Sequence, residues 1–185
     1  MTTDNSSVIH IYADGAASPN PGKGGYGVVI IKDGQRQELS CGYRHTTNNR
    51  MEILGAIAGL KHLNGSKSKV ILYSDSQYLV NSFNSGHAEK WRNKGWMFTR
   101  NKPVKNPDLW NELLNLAEPH EVKMVWVKGH QSNVENTRCD ELAVMARQAV
   151  NLAIDEGYEN PLVPDILVIP EKPEPTEPTF FDLFR

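Results

Sequence analysis

Four acidic residues stand next to or within apolar segments, and together they could bind a divalent cation. Asp14 and Asp75 each follow an apolar run typical of a buried strand, Glu52 lies within a helical pattern, and Asp140 lies near the start of a late helical pattern. A carboxylate in apolar surroundings is costly unless it has a partner. If the fold gathers the four, they form an oxygen-ligand site for Mg²⁺ or Mn²⁺ of the kind that supports phosphodiester hydrolysis.

Each of these acids also has a structural explanation. Asp14 precedes a glycine, which is an ordinary turn pair. Asp75 could cap the helix that follows it, and Asp140 could interact with a helix dipole, worth roughly 0.3–1 kcal/mol. Glu52 is harder to explain in this way because helical spacing gives it a face of small and apolar residues. That face carries Ala56, Gly59 and Leu63.

Two histidines have different interpretations. His130 lies in the glycine-containing loop KGHQS at 128–132, after the last predicted strand. A loop histidine is usually only exposed, but beside a metal site it would carry protons near neutral pH. His10 lies inside the first predicted strand, and we interpret it as structural.

The elements that would position these residues follow from the hydrophobic pattern. It predicts strands at 8–13, 26–31, 37–43, 70–74 and 122–127, and helices at 49–63, 77–84, 107–117 and 137–153. Asp33 and Gly34 form a hairpin signal between the second and third strands. The pattern predicts an α/β fold: a five-stranded mixed sheet whose first three strands form an antiparallel meander, with helices on both faces. Ligands bind at strand carboxyl ends in such sheets, where Asp14 and Asp75 are placed.

Composition places the chain among ordinary globular proteins. It has 185 residues, of which 39% are hydrophobic and 23% charged, enough to bury a sizeable core. No apolar run approaches the length of a membrane span, and the first residues do not resemble a signal peptide. Cys41 and Cys139 are too few for a disulfide framework. We therefore expect a cytoplasmic protein with no membrane partner.

The net charge of −2 conceals two segments of opposite sign. Residues 90–105 contain six basic residues and no acid, which suits either a solvated face or a polyanion. Trp91, Trp96 and Phe98 lie among these cations, as aromatic residues do in many nucleic-acid-binding surfaces. We therefore give the nucleic-acid interpretation the same weight as the solvated charged face. Residues 155–185 contain eight acids, two basic residues and six of the eleven prolines. They predict a flexible acidic tail after a domain at 1–154.

The motifs around the four acids resemble those of bacterial-type ribonuclease HI. They occur in the family's order, with compatible spacing, over about residues 8–153. Six motifs in register are highly specific, whereas a single one would mean little. Residues 85–90 differ from the family's common form by a one-residue insertion. We expect this difference to affect affinity for the substrate rather than the chemistry. The motifs are YADGA (12–16) with NPGKGGYG (20–27), TTNNRME (46–52), YSDSQY (73–78), KPVKN (102–106) with DLW (108–110), WVKGH (126–130) and NTRCDELA (136–143).

The resemblance implies a ribonuclease H-like fold and an endonuclease that hydrolyses the RNA strand of RNA–DNA hybrids, leaving 5′-phosphate and 3′-hydroxyl ends. Asp14, Glu52, Asp75 and Asp140 would bind one or two Mg²⁺ ions, with Mn²⁺ as a substitute, and His130 would be the proton shuttle.

The implied substrate-binding residues fall into three sets. The first would contact the minor groove near the RNA 2′-hydroxyl groups, the second a DNA phosphate, and the third would grip the DNA strand from a basic protrusion at about 86–105. The first set is Asn20, Asn48 and Gln77, the second is Thr47, and the third is Trp91, Lys94 and Trp96.

The last residues of the chain are similar to the short peptide by which bacterial replication proteins bind the sliding clamp. That peptide would comprise Phe180, Phe181, Asp182, Leu183 and Phe184, with Phe180 in place of the usual glutamine. Two alternatives stay open: these phenylalanines fold back on the domain, or the acidic tail competes with the hybrid for the basic patch.

Two other functions fit the same fold. A hybrid-binding module without catalysis would not need four intact acids. A DNA-cleaving nuclease of the same superfamily would not need the tryptophan-bearing basic segment, Asn48 or Gln77. We expect a monomer, because no spare apolar helix face is apparent.

Overall fold

The computed structural model describes residues 8–63, 67–129 and 133–161. The elements in chain order are β1 (Ile9–Ala17), β2 (Gly22–Lys32), β3 (Gln35–Thr46), α1 (Asn48–Lys61), β4 (Lys69–Ser74), α2 (Gln77–Asn84), α3 (His87–Asn93), β5 (Met97–Thr99), β6 (Lys102–Pro103), α4 (Pro107–Ala117), β7 (Glu121–Trp126), α5 (Val134–Arg147) and α6 (Glu156–Glu159).

Five of these strands form one mixed sheet in the order β3-β2-β1-β4-β7. The first three are antiparallel, whereas β4 runs parallel to β1 and β7 parallel to β4. The turn between β2 and β3 holds Asp33 and Gly34 at φ 52° and 76°, the left-handed backbone that this dipeptide tolerates. The predicted meander and five-stranded mixed sheet are confirmed.

Helices cover both faces of the sheet, as predicted. On one face α1 and α4 bury the larger core, which includes Ile11, Ile53, Leu72, Trp110 and Leu113. On the other face α5 packs through a smaller cluster of Val29, Cys139 and Leu142.

The close approach of α5 to the sheet depends on Gly27. A β-carbon added there would lie 2.1 Å from the carbonyl oxygen of Cys139. A side chain at this position would push α5 off β2, because backbone atoms cannot yield as a flexible side chain can.

The last long helix differs from its prediction at both ends. It begins at Val134 rather than Thr137, because the Asn133 side chain accepts hydrogen bonds from the amides of Glu135 and Asn136. It ends at Arg147 rather than Ala153, and Val150, predicted on its apolar stripe, is 97% exposed. Hydrophobic periodicity alone did not show this end, because a turn follows the helix and Ala153 then pairs with Tyr43 of β3.

The structure continues past the predicted domain boundary at residue 154. Asp155 is buried, and α6 follows it directly. Residues 155–161, which the sequence assigned to the tail, therefore lie on the domain. The predicted peptide from Phe180 to Phe184 lies outside the described residues.

The basic segment forms a protrusion built from α3, a turn and the small β5–β6 hairpin. Gly95 and Trp96 both have φ 64°, and the Trp96 amide donates to the Trp91 carbonyl at 2.7 Å. Within the described parts of the chain, no helix combines the length and apolar character that crossing a membrane requires.

Candidate active site

Three of the four predicted carboxylates meet at one edge of the sheet. In the parallel pair β1–β4, Tyr12 lies opposite Tyr73, so Asp14 and Asp75, each two residues further on, occupy equivalent positions. Glu52 reaches the same place from α1. One oxygen from each carboxylate lies within 4.8 Å of the other two. Three carboxylates at this separation suit a hard cation, since oxygen is its preferred ligand and its charge offsets their repulsion.

Glu52 is the carboxylate whose protonation is most affected by these surroundings. Its pKa is raised well above its ordinary value, first by burial and then by the negative charges of Asp14 and Asp75. A hydrogen bond from Ser74 Oγ to Glu52 Oε2, 3.4 Å long, acts in the opposite direction. The site therefore favours the presence of a positive charge, from a proton or from a cation.

The structural explanation offered for Asp75 does not apply. The residue that caps α2 is Ser76, whose hydroxyl accepts from the Leu79 amide at 3.3 Å. The backbone carbonyl of Asp75 accepts from Trp126 Nε1 at 2.9 Å, which fixes this turn to β7.

The structural explanation for Asp140 also fails, because α5 begins earlier than predicted. Asp140 is the seventh residue of α5, beyond the first turn in which the helix dipole favours an acid. The residue before it, Cys139, donates its thiol to the Tyr12 carbonyl at 3.2 Å, and its own carbonyl lies against Gly27. Gly27 pairs with Asp14 in the β1–β2 ladder, so α5 is anchored beside Asp14. Asp140 itself does not belong to the 4.8 Å group found among the described residues.

His130 lies outside the described residues. Gly129, immediately before it, lies close to one metal-ligand candidate: a β-carbon at Gly129 would be 2.5 Å from Asp75 Oδ2. The last described residue before His130 thus lies against one of the three carboxylates.

Three of the predicted substrate-binding residues accept or donate hydrogen bonds at the start of α1. The Asn48 side-chain oxygen accepts from the Ala17 amide at 2.6 Å, and the Asn48 amide donates to Asn20 Oδ1 at 3.2 Å. Thr47 caps α1 by accepting from the Arg50 amide at 3.4 Å. The turn after β1 is thereby held against the helix that carries Glu52.

The other predicted substrate residues lie on α2 and on the protrusion. Gln77 is exposed, two residues after Asp75. Lys94 is exposed, whereas Trp91 and Trp96 are only partly exposed and pack against the main core. The Trp91 ring meets Trp110 edge-on at 5.9 Å between centroids.

Two residues of this surface were not among the predicted substrate-binding residues. Phe98 is 58% exposed, and Lys102 Nζ lies 5.8 Å from the centre of its ring. The position of Phe98 among basic residues in the sequence already indicated a contact with nucleic acid. The other is Tyr158, which lies in the segment predicted to be the tail. No motif or compositional pattern in the sequence indicated a role for it.

Comparison with known proteins shows to which family this chain is similar. The family model of RNase H matches residues 6–148. The chain is 55% identical over 151 residues to "Ribonuclease H" of Desulforamulus reducens, which covers 82% of this chain and 94% of that protein. It is 52% identical over 158 residues to "Ribonuclease HI" of Synechocystis sp., which covers 85% of this chain and 97% of that protein.

Solved structures show the same fold. LC9-RNase H1, described as a type 1 RNase H with the type 2 active-site motif, matches with a TM-score of 0.67 and 26% identity over 83% of this chain and 80% of that one. The N-terminal RNase H domain of rv2228c from Mycobacterium tuberculosis matches with a TM-score of 0.60 and 27% identity, over 77% of this chain and 94% of that one.

Proposed function

This chain belongs to the ribonuclease H family, and from that premise we propose that it is a metal-dependent endonuclease acting on the RNA strand of RNA–DNA hybrids. Its products would carry 5′-phosphate and 3′-hydroxyl ends. The observation that carries this proposal is the group formed by Asp14, Glu52 and Asp75 within 4.8 Å.

The chemistry of this donor set fits Mg²⁺, with Mn²⁺ as a substitute, in one or two ions per site. Asp14, Glu52 and Asp75 would hold the metal, and we assign Asp140 as a further ligand because α5 is anchored beside Asp14. When bound, such ions lower the pKa of an attacking water and stabilise the leaving oxygen.

The surrounding residues hold these ligands in place. Ser74 hydrogen-bonds Glu52, and Trp126 fixes the backbone at Asp75. We assign His130 as the group that carries a proton during the reaction, because the adjoining Gly129 contacts Asp75. A histidine titrates near neutral pH, which suits this role.

Choice of the RNA strand requires recognition of its 2′-hydroxyl, which donates and accepts hydrogen bonds. The side-chain oxygens of Asn20 and Asn48 already accept backbone amides, which leaves their NH₂ groups to donate to the substrate. Gln77, exposed beside Asp75, supplies a third amide. We assign these three residues to the minor groove of the hybrid.

The DNA strand would be held on the same side of the molecule. We assign Thr47 to a DNA phosphate, and Trp91, Lys94 and Trp96 to the strand itself. Exposed cations supply the attraction to phosphates, and aromatic rings supply contacts that do not depend on sequence.

A substrate panel tests this function. Each strand of an RNA–DNA hybrid, duplex DNA and duplex RNA would be labelled in turn and incubated with the protein and Mg²⁺. We expect cleavage of the RNA strand of the hybrid alone. Cutting of duplex DNA would support another nuclease of the superfamily, and binding of the hybrid without cleavage would support a binding module.

We also propose that residues 180–184 recruit the enzyme to the sliding clamp. An extended acidic segment that ends in apolar anchors gives such a peptide long reach at modest affinity. Full-length protein would be titrated against clamp, with Phe184→Ala as the variant. Saturable binding that is lost in the variant is expected, and no binding by the wild type excludes the proposal.

We further propose that the enzyme acts as a monomer in the cytoplasm. The two cysteines, Cys41 and Cys139, are both free thiols, as a reducing compartment would keep them. Sedimentation equilibrium at micromolar concentration tests the oligomeric state.

A further inference from the structure

The chain after α5 returns to the domain and packs beside the predicted substrate residues. The Ala153 amide donates to the Gly42 carbonyl at 2.8 Å, and the Arg44 amide donates to the Ala153 carbonyl at 3.0 Å. These two bonds add a short stretch of pairing to the free edge of β3. They direct the following residues towards the start of α1.

Asp155 fixes this segment to the interior of the domain. Its carboxylate accepts from Arg50 Nε and Nη2, both at 2.7 Å, and from Thr46 Oγ1 at 2.6 Å. The side chains of Arg50 and Asp155 are 3% and 4% exposed. A buried, two-pronged arginine–carboxylate pair permits one geometry, so Asp155 cannot shift without breaking several bonds.

The same guanidinium also holds the start of α4. Arg50 donates to Asp108 from Nη1 at 3.0 Å and from Nη2 at 2.7 Å. A single side chain therefore joins α1, α4 and the segment after α5.

Gly157 allows the segment to lie close to this ion-pair group. A β-carbon there would be 1.9 Å from Asp108 Oδ2 and 2.6 Å from Arg50 Nη2. On the outer side, Glu159 pairs with Arg44 at 2.7 Å. Tyr158, between them, is thus held from both sides.

Tyr158 borders a surface hollow of about 480 Å³ that also includes Asn20 and Thr47. Its ring meets His45 edge-on at 5.2 Å. Lys105 lies in the same lining, which contains no carboxylate among the residues that the structure describes. One cation with several uncharged hydrogen-bonding groups is a suitable environment for a phosphate.

We propose that Tyr158 is a substrate-binding residue, whose hydroxyl donates a hydrogen bond to a backbone phosphate of the DNA strand lying in this hollow. The inference rests on the proposed function, since Asn20 and Thr47 in the same lining are assigned to the hybrid. Arg50 is then a positioning residue: it contacts no substrate, but it holds Asp155 and so carries Tyr158 to the hollow.

Affinity of the full-length protein for hybrid tests this directly. Binding would be measured in chelator, where no metal-dependent cleavage occurs, for wild type, Tyr158→Phe and Tyr158→Ala. Loss of a hydrogen bond to a charged group predicts that Tyr158→Phe raises Kd by about 10- to 100-fold. Tyr73→Phe is the matched control, because within the part of the chain that the structure describes the Tyr73 hydroxyl hydrogen-bonds only His10. Its Kd should stay within about twofold of wild type.

A second measurement separates a phosphate contact from a change in shape. Single phosphates of the DNA strand would be replaced by neutral methylphosphonates, one position at a time. At one position the difference between wild type and Tyr158→Phe should disappear, since both have lost the same contact. An equal Kd for the two proteins, or a difference that persists at every position, overturns the inference. Wild-type protein that fails to bind or cleave hybrid would instead contradict the proposed function.

Discussion

Gly15 lies directly against the backbone of Glu52, so closely that a β-carbon at Gly15 would be 2.7 Å from the Glu52 amide nitrogen. The same atom would be 2.4 Å from the Met51 carbonyl carbon. Because Gly15 follows Asp14 on β1, this contact sets the spacing between the strand and the helix that supply two of the three carboxylates. The geometry of the candidate metal site thus depends on a residue without a side chain.

Substitution of Gly15 should therefore impair the site. We expect Gly15→Ala to reduce the rate of hybrid hydrolysis at least tenfold and to lower the free energy of unfolding by about 1–3 kcal/mol, because α1 must move outward. Gly55→Ala, within α1, is the control, since the added β-carbon would meet no atom nearer than 3.4 Å. It should leave activity unchanged and raise stability by up to about 1 kcal/mol. Urea unfolding and initial rates measure both; full activity in Gly15→Ala would contradict the account.

Removing the charge of Glu52 should stabilise the metal-free protein at neutral pH. The raised pKa means that the folded state binds the proton more tightly than the unfolded chain, so the folded protein loses stability as pH rises above the ordinary value of 4.5. Glutamine cannot ionise and avoids this loss. We expect Glu52→Gln to raise Tm by about 2 °C or more at pH 7.5, in chelator, and to have little effect near pH 4.

Metal should reverse the order of these two proteins. Mg²⁺ binds the folded state and should raise the Tm of wild type more than that of Glu52→Gln. Thermal unfolding with and without Mg²⁺ measures this. An identical response to Mg²⁺ in both proteins would show that Glu52 is not a ligand.

The buried ion pair predicts a large cost for loss of Arg50. Arg50→Met leaves Asp155 buried without its cation, and we expect a loss of about 3–5 kcal/mol in the free energy of unfolding. Arg36 is the matched control, because it also pairs with two carboxylates, Glu38 and Glu135, but at the surface. Arg36→Met should cost no more than about 1 kcal/mol. Similar losses in the two variants would show that burial of the Arg50 pair is unimportant.

Competition between the acidic tail and the hybrid predicts a salt-dependent effect of truncation. A chain ending at residue 161 should show a KM about 2- to 5-fold lower than wild type at low ionic strength, and an equal KM at high salt. A full-length variant in which only the acids after residue 161 are changed to their amides separates charge from length. A KM that does not change in either protein excludes this mechanism.

The sheet and the carboxylates could be predicted because their signals are local. Each strand shows its own apolar run, the Asp33–Gly34 turn fixes the hairpin, and Asp14 and Asp75 follow strands that the topology makes parallel neighbours. The structural alternatives for Asp75 and Asp140 were equally local. They failed only once the true caps, Ser76 and Asn133, were located.

The remainder depends on contacts that no local pattern reveals. Arg50 and Asp155 are 105 residues apart, and nothing in either neighbourhood indicates that they meet. Their pairing holds the segment after α5 on the domain, where Tyr158 borders the same hollow as Thr47. Acidic composition after residue 154 indicated a tail, but a buried arginine recruits the first of those acids into the fold.

The most direct test of the central claim is cleavage of an end-labelled RNA strand in a hybrid by wild type and Asp75→Asn, with Mg²⁺ and in chelator. We predict that wild type with Mg²⁺ cuts the RNA strand only, and that chelator or Asp75→Asn slows cleavage at least about 1,000-fold. The variant should bind hybrid in chelator at least as tightly as wild type, since it has lost a negative charge. Cleavage by Asp75→Asn at the wild-type rate, or wild-type cleavage that continues undiminished in chelator, would contradict the assignment of this carboxylate group as a metal-dependent active site.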